Sequence, residues 1–205
     1  MKWEFKYDLK EAKFLDYENI NLTNILFNKE EINNLEVNFE SFREVKFFNC
    51  KFNNVTFNNN FFSKVLFVNC EFINVNFLES NFNKASFLNC KLTGVSIFET
   101  KFDCLNFTES VIQYSKLENS IIDNSYFDDI KLLENIFRKN KINKTEFYKC
   151  NFNSDNFIDS KFKECDLKTS HFMDVKLNVD DLITSKISLL NVIEILSDKG
   201  IVLED

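Results

Sequence analysis

The chain has 205 residues, with 26 Phe, two Gly, no Pro and a formal net charge of −7. Without Gly and Pro as punctuation, an ordinary compact globule is excluded, because something else must turn the chain. No apolar run is long enough to span a membrane, and the opening MKWEFKYDLK lacks the apolar core of a signal peptide, so a cytoplasmic protein is expected.

The first predicted element is an N-terminal capping segment over residues 1–20. Trp3, Phe5, Tyr7 and Leu9 alternate with charged residues, as in a strand. This strand should dock beside the first coil of the repeat region, with Phe14 helping to cover the core end.

From residue 21 to 179 the chain repeats every five residues, loosely at first through Leu22, Phe27, Ile32 and Val37. From Phe42 to Leu177 every fifth residue is Phe, Leu or Ile. A second period of twenty lies inside the first. Two residues before most centres stands a small or β-branched residue, and steps of twenty sort these positions into columns. One column is Cys50, Cys70, Cys90, Ser110, Ile130, Cys150, Ser170; another is Val55, Val75, Val95, Ser115, Asn135, Asp155, Val175.

A period of five fits neither a helix nor a strand. It fits a chain that turns a corner every five residues and closes a four-sided coil every twenty. Each corner points one large and one small side chain inward. Two residues after many centres stands Asn, as at Asn49, Asn54, Asn59, Asn69, Asn74 and Asn89. Asn tolerates positive φ, so it is expected to replace Gly as the corner former. The core ladder of one face is Phe47, Phe67, Phe87, Phe107, Phe127 and Phe147. The fold class is therefore all-β: a right-handed quadrilateral β-helix with a short C-terminal α-helix. Its core is expected to be filled, leaving no interior pocket.

Segments such as Asn49-Cys50-Lys51-Phe52-Asn53 and Asp159-Ser160-Lys161-Phe162-Lys163 resemble the pentapeptide-repeat proteins. Their pattern is small, polar, Leu or Phe, polar, polar. The resemblance implies the four-sided right-handed helix and says little about function.

The last predicted unit, residues 180–205, is a helix and strand. Leu189, Leu190, Val192, Ile193, Ile195 and Leu196 recur at helical spacing, Ser188 can act as N-cap, and Gly200 follows as a stop. Ile201 opens a short extended run. This tail is similar to the C-terminal element of the Qnr-type quinolone-resistance members, which implies a twofold homodimer interface through Leu189, Leu190, Val192, Ile193, Leu196 and Ile201. The other reading is that the helix only caps its own coil.

No catalytic residue, metal site or cofactor is expected. His171 lies at an outward position without a pocket around it. The column Cys50, Cys70, Cys90 and Cys150 reads as buried small core residues, while Cys104 should be exposed and is the best candidate for a reactive thiol. One exposed feature suggests a partner site. Phe48, Val68 and Leu88 follow centres on successive coils, with Leu66 beside them, and form an apolar strip. The strip is either an interface or internal packing under Trp3 and Phe5.

The charge pattern separates the functional readings. The face centred on Phe42, Phe62 and Phe82 carries Arg43, Lys64, Lys84, Lys101, Lys141, Lys144, Lys161 and Lys163 against Glu44, Asp103, Asp123 and Glu164. The face containing Phe107, Phe127 and Phe147 is mildly acidic, and the ends of the chain hold most of the acidity. The favoured reading is a non-catalytic rod that binds a protein partner not identified by the sequence. The alternative comes from the resemblance: a DNA mimic that binds DNA gyrase or topoisomerase IV and protects against quinolones or topoisomerase toxins. A nearly neutral rod disfavours mimicry of a polyanion. Direct nucleic-acid binding along the Lys-rich face is weaker still, because the net charge and acidic ends repel phosphate.

Overall fold

The structure, a computed structural model, describes residues 8–14 and 22–197. It is a parallel β-solenoid of about eight turns with one short helix at its C-terminal end. Each strand is mostly three residues long and pairs in parallel with the strand twenty residues away, as in Phe47↔Phe67 and Phe52↔Phe72. The centres fall on four faces. Face 1 runs from Leu22 through Phe42 to Leu182, face 2 from Phe27 to Leu167, face 3 from Ile32 to Phe172, and face 4 from Val37 to Leu177.

Both inward positions of the repeat are buried nearly throughout. Phe47, Phe67, Phe87, Phe107, Phe127 and Phe147 are all within the core. Their rings stack coil on coil, at centroid distances such as 4.9 Å for Phe47–Phe67 and 4.4 Å for Phe87–Phe107. The spacing follows from the separation of neighbouring strands. At the small positions, side-chain oxygens accept backbone N–H groups from the coil before. Ser80 Oγ accepts from the Asn60 N–H over 3.1 Å, and Asn140 Oδ1 from the Ser120 N–H over 3.0 Å. Polar residues at these buried positions are thus satisfied by the coil itself.

The corners correct the expectation about Asn. The residue two after the centre has φ near +50° at nearly every corner, whether it is Asn49, Glu44, Lys84, Cys104 or Tyr114. Its N–H donates to the next coil, as from Glu44 to Ser63 over 2.9 Å and from Tyr114 to Leu133 over 3.0 Å. Left-handed backbone costs about 1–2 kcal/mol at an ordinary residue. The cross-coil hydrogen bonds offset that cost, so the backbone sets the corner and Asn is a preference only.

The core is not filled throughout, which corrects a second expectation. A cavity of about 70 Å³ lies at mid-rod. It sits where Leu92, Ile97, Ile112, Leu117, Ile122, Leu132 and Ile142 replace the Phe found at the same columns toward either end. Ile97, Ile112 and Phe137, all lining it, are the centres between 42 and 177 that are only partly buried.

At the N-terminal end, Lys10–Ala12 pairs in parallel with Ile25–Phe27. Phe14 is buried against Phe27 and Phe47, at 5.2 and 6.1 Å between ring centroids. Of the strand expected over Trp3, Phe5, Tyr7 and Leu9, the first three residues lie outside the described residues, and Leu9 precedes the strand, which begins at Lys10. At the other end, pairing continues beyond residue 179, through Leu182–Ile183 and a bridge at Lys186.

Candidate interaction surfaces

The C-terminal helix, α1 (Leu189–Ser197), is built by a reciprocal cap. The Asn191 N–H donates to Ser188 Oγ over 3.1 Å, and the Ser188 N–H donates to Asn191 Oδ1 over 2.8 Å. The inner side of α1 seals the last coil. Asn191 is fully buried, and its Nδ2 donates to the Ser170 carbonyl over 2.6 Å. Glu194 accepts from the Phe172 N–H over 3.0 Å and faces His171 Nδ1 at 3.3 Å. Ile195 joins the core. The outer side keeps an apolar row in solvent: Leu189 is 76% exposed, Leu190 50% and Ile193 39%. Val192 and Leu196 are half-buried. Ile201 lies outside the described residues.

The second apolar surface is the strip on face 2. Phe48 and Val68 are strand partners, as are Val68 and Leu88. Leu88 is exposed, while Phe48, Leu66 and Val68 are half-buried. Lys46 Nζ stands 5.0 Å from the Phe48 ring centroid and covers one side of it. The strand Lys10–Ala12 extends this sheet at its rim without lying over the strip.

The charged side chains of face 1 are partly tied up. Lys64 pairs with Glu44 at 2.6 Å, and Lys161 pairs with the buried Asp181. Asp103 accepts hydrogen bonds from Asn83 and Asn124. The described residues of this face present no continuous acidic surface.

Nothing on the described rod resembles a reactive centre. No set of three or more His, Cys, Asp and Glu could hold a metal among the described residues. The thiols of Cys50, Cys70, Cys90 and Cys150 donate to carbonyls of the preceding coil, from Cys50 to Phe27 over 3.4 Å and from Cys150 to Phe127 over 3.5 Å. Burial pushes the Cys150 thiol up to about 12. Cys104 is exposed, but partial burial and the neighbouring Asp103 charge raise its thiol above the ordinary value, the opposite of activation. His171 is exposed as expected. Its partner Glu194, 23 residues away, was not visible in the sequence because the contact exists only once α1 folds back on the coil.

The sequence matches the pentapeptide repeat region family over residues 40–117 and 61–137. No curated protein matches it. Among solved structures, two trypsin-treated variants of QnrB1, described as a plasmid-mediated fluoroquinolone resistance protein, share the fold. One is 15% identical with a TM-score of 0.54, covering 87% of this chain and 100% of its own. The other is 16% identical with a TM-score of 0.52, covering 91% of this chain and 100% of its own. The five-residue repeat, the four-sided coil and the family match over residues 40–137 together show that this chain carries a pentapeptide-repeat region.

Proposed function

We propose that the chain is a non-catalytic, rod-shaped protein-interaction module of the cytoplasm that forms a homodimer through α1. The observation that carries this reading is the two-sided use of α1. Asn191, Glu194 and Ile195 already seal the coil, so Leu189, Leu190 and Ile193 are not needed for capping and remain as an apolar row in solvent. A contiguous apolar surface of this kind marks an interface more often than free surface. Buried, unpaired thiols support a reducing compartment. The strip Phe48, Val68 and Leu88 is the surface we assign to a second protein.

The likeness to QnrB1 is the ground for the other reading, a DNA mimic acting on gyrase or topoisomerase IV. Faces 1 and 2 argue against it, since the first is rich in lysine and neither is continuously acidic. A supercoiling assay with gyrase, titrating the full chain with and without a quinolone, separates the two. An interaction module with another partner leaves supercoiling and quinolone inhibition unchanged. Dose-dependent inhibition, or relief of the quinolone, would give the reading to the mimic.

A further inference from the structure

The mid-rod cavity has the properties of a binding site rather than of a hydrated gap. Face 2 carries its ring stack through the region unbroken, from Phe87 to Phe107, Phe127 and Phe147. The other three faces interrupt theirs. On faces 3 and 4, stacks end at Phe72 and Phe77 and resume at Phe152 and Phe137, with Leu or Ile between. The surviving stack is stretched here. Phe107 and Phe127 are 5.7 Å apart, against 4.4 Å for Phe87–Phe107 and 4.8 Å for Phe127–Phe147.

The polar residues at the wall are Ser115, Asn135 and the solvent-exposed Lys116, and the two buried side chains make their hydrogen bonds within the protein. Ser115 Oγ donates to the Gln113 carbonyl over 2.9 Å and accepts from the Val95 N–H over 3.1 Å. Asn135 Nδ2 donates to the Ile112 carbonyl and to Asp155, and its Oδ1 accepts from the Ser115 N–H. A buried water needs two to four free polar partners, and dry apolar cavities instead take up apolar guests. The volume is roughly half of the ~150 Å³ of an engineered cavity that holds benzene or xenon.

We infer that the mid-rod cavity of about 70 Å³ is a dry site for a single small, uncharged apolar guest, of the size of a xenon atom or a light hydrocarbon. The site is independent of the partner reading above. It follows from side-chain volume: on faces 1, 3 and 4 Phe on either side of mid-rod closes the core, and Leu or Ile at mid-rod opens it.

Xenon is the probe. Methyl carbon–proton spectra of the full chain are recorded under rising xenon pressure. The methyls of Ile97, Ile112, Leu117 and Ile122 should shift in a saturable way, while surface methyls such as Leu190 change linearly and weakly. Two variants extend an existing stack into the space: Ile97→Phe on Phe77, and Leu117→Phe on Phe137. Each should abolish the saturable shift while keeping the native β spectrum. Absence of a saturable shift at these methyls in the folded wild-type chain would overturn the inference even if neither variant folds. So would undiminished binding in both folded variants.

Discussion

Asn135 and Asp155 stand one coil apart in the same buried column, and Asn135 Nδ2 donates to Asp155 Oδ1 over 2.8 Å. The Asn135 N–H donates to the same oxygen over 2.9 Å, and the Asn153 N–H to the other over 3.1 Å. The carboxylate is fully buried, with no cation against it among the described residues. Burial raises its pKa from 3.8 to about 6, against the lowering effect of these hydrogen bonds.

The pH dependence of stability takes its sign from that direction. The folded state binds the proton more tightly than the unfolded state, so this group favours folding at acid pH. Its contribution is fully present below about 4, is lost as pH rises toward 6, and is then flat. The size is about 3 kcal/mol on 1.36 kcal/mol per unit. Asn is already accommodated at this kind of position. Asn60 and Asn140 each donate from Nδ2 to a carbonyl 23 residues earlier, at 2.8 Å. Asp155→Asn should therefore gain stability over wild type between pH 4 and 7. Urea unfolding of both chains across that range measures the difference. A constant difference would rule out the assignment.

The Phe ladder predicts a large loss on truncation. Phe87 is buried and stacks on Phe67 at 4.6 Å and Phe107 at 4.4 Å. Phe87→Ala should cost about 3–5 kcal/mol in urea unfolding. Far-UV circular dichroism of the wild type should show turn and β signal with minor helix.

The seal at the C-terminal end rests on Asn191. Asn191→Ala leaves the Ser170 carbonyl and the Ser188 N–H without their partners and should cost about 1–3 kcal/mol locally. Hydrogen exchange should then accelerate in α1 and at the Phe172 amide, while the mid-rod amides keep their protection. Uniform acceleration along the rod would show that the helix is not a separate cap.

The strip on face 2 makes a two-way prediction. Phe48→Glu with Val68→Lys should leave the melting temperature nearly unchanged and abolish binding of whatever partner occupies the strip. A clear fall in melting temperature would mean instead that the strip is packing within the chain.

The period of five was legible because every corner poses the same requirement: one large and one small side chain inward. What the sequence concealed has physical reasons. Phe and Leu count equally as apolar in a periodicity yet differ in volume, so the cavity around Leu92, Ile97 and Ile112 left no trace in the pattern. The corners looked like an Asn requirement because Asn is frequent there, but Glu44 and Tyr114 hold the same φ through backbone hydrogen bonds between coils. Asp155 stood in a column that runs from Val through Ser115 and Asn135, and its raised pKa became legible only with its burial. Glu194 could be matched to His171 only after α1 was seen folded against the last coil.

Pairing of the rod through the outer side of α1 is open to a decisive test. Sedimentation velocity of the full chain is run from low to high micromolar concentration, alongside Leu190→Glu with Ile193→Glu. Both side chains are exposed, so the variant should fold. A concentration-dependent dimer is expected for the wild type, and a monomer with an unchanged circular dichroism spectrum for the variant. A wild-type chain that stays monomeric at high micromolar concentration, or a variant that dimerises equally well, would refute pairing through α1.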